Sequence, residues 1–275
     1  MTGFSFGRLV RNVVVIALAV IWLIPTYLLV VNAITPSLKY NGAPVWLPNR
    51  GFGLFDNIVA GLQGSGLYAG ALNSLIYAVV GAGLAVLFAT AAAYAVVVLP
   101  MKRKMVWFWL IYAGTLLPLQ VFAVPLFLGE AYTNLYDTQP GLIIVYVALC
   151  IPFAFFVVRN FLTTLPPEIT EAARLDGAGR FRLFWRIHVP LARPAMAAGF
   201  VFQFIYIWNE LFFGITLSIS PTVQPVMAGL AGLQGQSSLV SEPVILATAL
   251  LVSIPTVAVF FGFQRFFVSG LSTNI

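Results

Sequence analysis

Residues 171–177 read Glu-Ala-Ala-Arg-Leu-Asp-Gly, and residues 187–190 read Ile-His-Val-Pro. Nine residues separate the two strings, and charged side chains are frequent throughout this segment. The chain as a whole is apolar: 61% of its residues are hydrophobic, only 8% are charged, and the mean hydropathy is +0.98. Because charged side chains are costly within hydrocarbon, the segment is predicted to be a loop at a membrane surface, between helices that span the bilayer.

The composition indicates an integral membrane protein. A chain of 275 residues with so few charges cannot cover a soluble globule of its size with polar surface. Its one cysteine, Cys150, lies in an apolar stretch, so neither a disulfide framework nor a cysteine pair for a metal is expected. The single histidine, His188, is interpreted as a packing or interface residue, because one histidine cannot build a metal site or a catalytic triad.

Six apolar runs are long enough to cross about 30 Å of hydrocarbon, which takes roughly 20 helical residues. They lack the period of two that is typical of barrel strands, so an all-α membrane protein with one domain over residues 1–275 is predicted. Pro118 and Pro125 in the third run, Pro152 in the fourth and Pro255 in the sixth are expected to kink these helices without breaking them. The predicted spans are residues 13–33, 72–98, 105–128, 140–162, 195–217 and 243–267.

Positive charges indicate the orientation. If the N-terminus is cytoplasmic, the outer loops carry only Lys39 and Arg50, so both termini are predicted to be cytoplasmic. The net charge of +6 then reflects this topology rather than nucleic-acid binding. The basic residues 102–104 are expected to lie near anionic lipid headgroups. The first span is expected to stay as a membrane helix, since it lacks the cleavage site of a signal peptide. The inner basic residues are Arg8, Arg11, Lys102, Arg103, Lys104, Arg159, Arg174, Arg180, Arg182, Arg186, Arg193 and Arg265.

The inner loop, residues 163–193, is predicted to be folded. Pro166 and Pro167 suit the first turn of a helix that ends near Leu175, and Gly177 suits a left-handed C-terminal cap. A second amphipathic helix is expected to follow and to end before Pro190.

One face of the first helix of this loop is expected to carry Ile169, Ala172 and Ala173. The two alanines would allow the backbone of a partner to come close, and Glu171 could pair with Arg174 or with that partner.

The outer loops differ in composition. Residues 34–71 predict turns and short pieces that lie against the membrane face. Residues 218–242 have a polar, flexible composition that could face a partner or solvent; the residues that indicate this are Gly232, Gln234, Gly235, Gln236, Ser237 and Ser238.

The spacing in the inner loop resembles the EAA motif of permease subunits of ATP-binding-cassette (ABC) importers. Glu171-Ala172-Ala173, Gly177, Ile187 and Pro190 match the motif, and Val189 replaces its leucine. Further stretches are similar to the carbohydrate branch of these permeases, in particular to maltose-permease G-type subunits, although this chain has a shorter C-terminal tail. They are Pro-Val-Trp-Leu-Pro at 44–48, Asn73-Ser74-Leu75, Pro118-Leu119-Gln120, Val124-Pro125-Leu126, Pro166 to Glu168, Trp208-Asn209-Glu210, and Gln264-Arg265 through Gly270-Leu271.

The resemblance implies a type I ABC importer permease fold in the cytoplasmic membrane of a bacterium or archaeon. It implies a second homologous permease subunit, two ATPase subunits and an extracytoplasmic solute-binding protein as partners, with transport by alternating access. The chain has no phosphate-binding loop, and none of its three lysines follows a glycine. It is therefore expected to have no enzymatic activity or cofactor of its own, while ATP and Mg are bound by the ATPase partners. Whether the second permease is a different subunit is left open.

The resemblance also implies roles for the loop. We expect the main polar contact with the ATPase from Glu171, close docking through Ala172 and Ala173, and the turn from Gly177. The full set of expected coupling residues is Glu171, Ala172, Ala173, Asp176, Gly177, Ile187 and Pro190.

Polar residues in or near spans allow two readings. Trp208, Asn209 and Glu210 suit a sugar, because an aromatic face takes C–H groups while the amide and carboxylate take hydroxyls; they equally suit hydrogen bonds between helices. Asn73 and Gln120 carry the same ambiguity.

Three functions remain open: import of a sugar, import of another solute such as a polyamine, phosphate ester or amino acid, and intramembrane catalysis. The stretches at 208–210 and 44–48 favour a sugar. The single histidine and the lack of a catalytic pair argue against an enzyme.

Overall fold

The computed structural model describes residues 6–63, 66–235 and 240–271, and they are almost wholly helical or turn-forming. The predicted all-α class is confirmed. A 3₁₀ turn occupies Ser37–Lys39. The helices are α1 (Phe6–Ile34), α2 (Leu54–Gln63), α3 (Leu67–Val98), α4 (Lys104–Thr115), α5 (Leu119–Thr133), α6 (Gln139–Leu162), α7 (Pro167–Leu175), α8 (Arg180–Trp208), α9 (Phe212–Leu217), α10 (Val226–Gly235) and α11 (Glu242–Leu271).

Five helices in the described part of the chain are long and apolar enough to cross a membrane: α1, α3, α6, α8 and α11. They correspond to the first, second, fourth, fifth and sixth predicted spans. Pro152 and Pro255 lie inside continuous helices, as expected.

The third predicted span is wrong as a single helix. It consists of α4 and α5, which meet at an angle of 94°. Pro118 explains the break, because a proline disfavours helical backbone at the residue before it and donates no N–H. Pro118 itself has an extended backbone with ψ at 129°, and α5 starts after it. Pro125, by contrast, lies within α5 without interrupting it.

The fifth span also differs from its prediction. The second helix of the inner loop does not end before Pro190; it continues as α8 to Trp208. A π turn at Phe184–His188 precedes the proline, and the N–H of Val189 bonds the carbonyl oxygen of Phe184, five residues back. This wider turn lets the chain pass Pro190 near the start of the following α-helical segment, where its missing N–H is tolerated. The outer part of the predicted span forms the separate short helix α9.

Two compact units divide the chain. The first comprises Met1–Gly66 and Leu230–Ser253. In it, Asn32 at the end of α1 donates to the carbonyl of Val45 at 3.0 Å and accepts from the N–H of Val45 at 2.8 Å. Asn57 of α2 donates to the carbonyl oxygens of Ala33 and Thr35 at 2.9 and 2.8 Å. The first outer loop is therefore folded back onto the end of α1 by buried amides.

The apolar stretch of α1 is exposed on all sides, since none of its most apolar window is buried. Trp22, for example, is 79% exposed. Such a helix needs lipid or another apolar chain around it.

The second unit comprises Leu67–Gly229 and Ile254–Ile275. Its core is formed by α3, α6 and α8, which pack through small side chains. Ala89 and Ala93 of α3, Ala154 of α6 and Ala192 of α8 are fully buried. Without a hydrophobic driving force in lipid, small residues of this kind stabilise helix pairs by allowing close backbone approach.

Residues 218–225 lie across the end of this core at which α3 and α6 begin. Asp137 accepts hydrogen bonds from the N–H groups of Ile219 and Ser220 at 2.8 and 3.0 Å, and from the Ser220 hydroxyl. Burial alone would raise the pKa of Asp137, but these donors hold the pKa below its ordinary value. The Tyr77 hydroxyl of α3 donates to the carbonyl of Val223 at 2.7 Å.

The expectation of a flexible polar stretch over 218–242 is therefore wrong for its described part. Residues 218–225 are held by the contacts above, and the segment continues as the apolar helix α10. Gly232, Gln234 and Gly235 lie in this helix, whereas Gln236, Ser237 and Ser238 lie outside the described residues.

Candidate functional site: the inner loop and the break after span five

The first helix of the inner loop, α7, begins and ends as its sequence predicts. Pro166 precedes the helix and Pro167 occupies its first turn. At the C-terminal end the N–H of Ala178 bonds the carbonyl of Ala173 at 2.9 Å, and the N–H of Gly177 bonds that of Arg174 at 3.0 Å. These two bonds form a Schellman motif, with Gly177 in the left-handed conformation at φ +76°. The turn angle between α7 and α8 is thus set by a glycine.

The two alanines of α7 point in different directions. Ala173 is 8% exposed and belongs to the buried core of the second unit, together with Leu183 and Phe184 of α8. Ala172 is exposed. The expectation that Ala172 and Ala173 share a docking face is wrong, because Ala173 packs against its own chain; only Ala172 is available to a partner.

The exposed face of the loop combines acidic and large apolar side chains. Glu168, Glu171 and Asp176 are exposed, Leu175 is 89% exposed, and Phe181 at the start of α8 is 83% exposed. Exposed large apolar side chains of this kind are typical of a surface that binds another protein or the membrane. The remaining predicted coupling residues, Ile187 and Pro190, are partly buried in α8, and Ile187 packs against the core.

Three polar contacts attach the loop to the spans. His188 Nε2 lies 3.2 Å from Thr170 Oγ1 and joins α8 to α7. The Tyr94 hydroxyl of α3 donates to the carbonyl of Arg180 at 2.9 Å. Arg174 donates to the carbonyl of Val98, the last residue of α3, at 3.1 Å. The sequence suggests Glu171 as a partner of Arg174 and does not indicate this carbonyl.

Tyr94 is a residue that the sequence analysis missed. Its ring centroid lies 5.2 Å from that of His188 and 5.1 Å from that of Phe184. The three rings pack where α3, the inner loop and α8 meet. A tyrosine within an apolar span gives no local signal of this role, since the contact depends on tertiary packing.

Glu210 lies at the break between α8 and α9 rather than inside a span. It is 7% exposed and accepts hydrogen bonds from the N–H groups of Phe213 and Gly214 and from the Tyr146 hydroxyl of α6, at 2.9 to 3.1 Å. A carboxylate that meets free N–H groups at a helix start stabilises that start. Its geometry matches the helix-connecting reading of Glu210.

Trp208 and Asn209, the two residues before Glu210, differ in burial. Trp208 is 3% exposed, with its ring stacked on Phe204 at 6.1 Å. Asn209 is exposed, and its amide donates to the carbonyl of Ile205 at 2.7 Å. Trp208 and Glu210 are thus buried, and only Asn209 of the three is exposed.

Asn73 and Gln120 are also far from equivalent. Asn73 is 5% exposed; its amide donates to the carbonyls of Thr222 and Gln224 and accepts from Gln139. It holds the outer segment in place. Gln120 is exposed in the first turn of α5, just after the break.

Comparison with known proteins identifies the family. Residues 85–273 match the model of the binding-protein-dependent transport system inner membrane component, which is more than half of the chain. The chain belongs to this family of transport permeases.

Three curated relatives are similar over most of the chain. The permease protein GgtD for uptake of osmoprotective compounds from Synechocystis is 29% identical over 96% of this chain and 90% of that protein. The diacetylchitobiose uptake permease NgcG from Streptomyces coelicolor is 28% identical over 90% and 83%. The sn-glycerol-3-phosphate permease UgpE from Yersinia enterocolitica is 36% identical over 66% of this chain and 64% of its own length.

A solved structure shares the fold. A chain in the crystal structure of a bacterial ABC transporter involved in import of the acidic polysaccharide alginate matches 97% of this chain and 100% of its own length. The TM-score is 0.81 at 22% sequence identity. The predicted type I permease fold is thus confirmed.

Proposed function

We propose that this permease imports a sugar, working with a second homologous permease subunit, two ATPase subunits and an extracytoplasmic binding protein. The inner loop carries the proposal. It is a short helix with a glycine-set turn, attached to two spanning helices, with carboxylates and large apolar side chains exposed on its outer face.

The loop suits the transmission of movement from an ATPase. ATP and Mg would be bound by the ATPase subunits, and Glu171 and Ala172 would lie against them. A displacement of α7 reaches α8 through Thr170 and His188, and reaches α3 through Arg174. Since packed helices move as units rather than bending continuously, such a push favours one arrangement of the spans over another. This is the alternating access of the proposed mechanism.

The second permease subunit would cover apolar surface that the chain leaves open. The exposed apolar stretch of α1 is one such surface. Its outward side chains suit either a neighbouring permease or lipid.

The N-terminus and the C-terminus are both proposed to be cytoplasmic. Labelling of single cysteines at the two ends with a membrane-impermeant reagent in intact cells tests this; labelling from outside contradicts it.

A sugar is the substrate class we favour, and one relative supports it. The diacetylchitobiose uptake permease, which is similar over 90% of this chain, is a permease for a carbohydrate. The alternative is a non-sugar solute, which the 36% identity with a glycerol-3-phosphate permease favours. A neutral sugar and glycerol 3-phosphate can be offered to the same complex, so one experiment can separate them.

The test is a reconstituted complex in lipid vesicles with its purified binding protein. ATP hydrolysis and uptake are measured with maltose, cellobiose, diacetylchitobiose and glycerol 3-phosphate in turn. We expect at least one neutral sugar to stimulate both activities and glycerol 3-phosphate to stimulate neither. Stimulation by glycerol 3-phosphate alone would replace the sugar by a phosphate ester. No ATP-dependent uptake, by an intact complex, of a solute that the binding protein binds would contradict import itself.

A further inference from the structure

A groove of about 450 Å³ lies between α3 and the start of α8, within the second unit. Leu87 and Ala91 of α3 and Leu99 just after it form one side, and Phe181 and Trp185 of α8 form the other. Phe181 and Trp185 are 83% and 53% exposed. The groove therefore opens to the surroundings of the chain, and its walls are almost wholly apolar.

The length of the groove matches one leaflet of a membrane. Leu87 and Leu99 are twelve positions apart, which corresponds to about 18 Å of helix. Half of a hydrocarbon core of about 30 Å is about 15 Å. A lipid chain that stands along the last turns of α3 would thus follow the groove from the headgroup level towards the middle of the membrane.

Positive charge lies at one end of the groove. Arg180 lines it beside the end of α3, where the carbonyl of Arg180 accepts from the Tyr94 hydroxyl at 2.9 Å. The basic residues 102–104 follow the same end of α3, and Lys104 Nζ donates to the carbonyl of Val97 at 2.9 Å. In the part of the chain that the structure describes, Arg180 has no ion-pair partner and no acidic side chain lines the groove.

An anionic phospholipid combines the two chemistries that the groove offers. A guanidinium binds phosphate oxygens through paired N–H groups, and the apolar walls accept hydrocarbon. Because lipid tails are as apolar as these walls, the chain adds little affinity, and the headgroup decides which lipid stays. A basic residue near the membrane surface favours anionic lipid by about 1 kcal/mol. A soluble partner such as an ATPase would have to enter hydrocarbon to fill the same length.

We propose that this groove binds an anionic phospholipid, with one acyl chain along α3 and the phosphate at Arg180. The lipid would lie across the contact between Tyr94 and Arg180, through which α3 holds the start of α8. A bound lipid would therefore help to fix the inner loop to the spans. The site does not depend on which solute the permease carries.

The first test is photolabelling of the purified complex in phosphatidylcholine nanodiscs that contain a small fraction of phosphatidylglycerol with a diazirine in its acyl chain. Peptides that contain residues 87–99 and 180–185 should carry the label. Unlabelled phosphatidylglycerol should displace the probe. Inorganic phosphate should not displace it, because it has no chain to occupy the groove; displacement by inorganic phosphate would contradict a lipid site.

The second test compares variants at the two ends of the groove. Arg180→Gln should weaken binding of the probe about fivefold, which corresponds to the loss of ~1 kcal/mol from one basic residue. The control Arg193→Gln, at an exposed position of α8 that does not line the groove, should bind as wild type.

Filling the groove should exclude the chain. Ala91→Trp should abolish labelling of the two peptides, whereas Leu84→Trp, at another exposed position of α3 outside the groove, should not change it. Gel filtration of each variant complex checks that the subunits still assemble. Full labelling of an assembled Ala91→Trp complex would show that the probe lies elsewhere.

Two further outcomes would overturn the proposal. Equal labelling by diazirine-bearing phosphatidylcholine and phosphatidylglycerol would show ordinary surrounding lipid without selection for charge. Absence of label from both peptides in an intact complex would show that another subunit covers the groove. Because the label is measured without transport, a failure of sugar import would leave the result on the lipid site unchanged.

Discussion

The imidazole of His188 and the hydroxyl of Thr170 lie 3.2 Å apart and join the two helices of the inner loop. His188 is 3% exposed and also packs on Tyr94, whereas Thr170 is partly buried. This hydrogen bond restrains α7 relative to α8, as the proposed coupling role of the loop requires.

Breaking that contact should loosen α7. We expect Thr170→Val to destabilise the loop by roughly 1–3 kcal/mol, since it leaves the buried His188 Nε2 unsatisfied. The hydrogen bond lost in His188→Leu should cost less, because its partner Thr170 is only partly buried. The double variant should cost less than the sum of the two, as neighbours that share one bond are not additive. Thermal unfolding of the purified complex is measured for wild type, the two single variants and the double variant. Simple additivity of their effects would show that the pair does not interact.

Gly177 should not tolerate a branched side chain. An added Cβ would meet no atom within 4 Å, so any effect of Gly177→Val comes from the left-handed backbone, which costs about 1–2 kcal/mol for an L-residue. Uptake should fall while the complex still assembles. Gly177→Asn should be milder, because asparagine tolerates this conformation.

Gly179→Ala is the matched control for that glycine. It lies two residues away with equally open space, but its φ is −69°. Uptake by this variant should equal wild type; equal losses at both glycines would show that side-chain volume, and not backbone conformation, is responsible.

Ala172 and Ala173 should respond differently to replacement by leucine. Ala173→Leu inserts volume into a packed core and should lower the stability of the permease by about 1–3 kcal/mol. Ala172→Leu faces outward and should leave the melting temperature of the isolated permease unchanged while weakening association with the ATPase. Copurification of the subunits and melting of the permease alone distinguish the two; an unstable Ala172→Leu permease would contradict the outward placement.

Glu210 should matter for stability rather than for substrate choice. Glu210→Ala removes bonds to three donors and should destabilise the permease, at roughly 1.5–3 kcal/mol for each charged bond lost. Tyr146→Phe removes one of these donors and should cost less. If Glu210→Gln instead changed the preference among sugars at an unchanged melting temperature, the substrate reading of this residue would be correct.

Asp137 should make the outer segment sensitive to acid. Because its folded-state pKa is depressed, its contribution is fully present above its ordinary pKa, near 4, and is lost as pH falls through the lower folded value. The protection of the Ile219 and Ser220 amides against hydrogen exchange, relative to the intrinsic rate at each pH, should therefore fall below about pH 4 in wild type. Asp137→Asn should exchange faster already at neutral pH and vary less with acid; identical pH profiles would contradict the assignment.

Local features of the inner loop were predictable because their causes are local. The prolines at 166–167 and the glycine at 177 determine where α7 starts and stops through backbone sterics alone. The continuation of α8 past Pro190 was not predictable from the same rules. A π turn removes the conflict there, and Phe184 and His188 of that turn pack on Tyr94 of α3, a contact that local sequence rules do not specify.

Composition and spacing by themselves determined the membrane class, the six apolar runs, and the helix, turn and helix of the inner loop, because hydrocarbon thickness and backbone sterics act on residues near one another in the chain. Only the tertiary structure decided that Ala173 faces inward, that Glu210 supports a helix start, and that Leu87 and Arg180 line one groove. Each of these depends on which faces of distant helices meet, and a run of apolar residues specifies that a helix is buried in a membrane without specifying its neighbours.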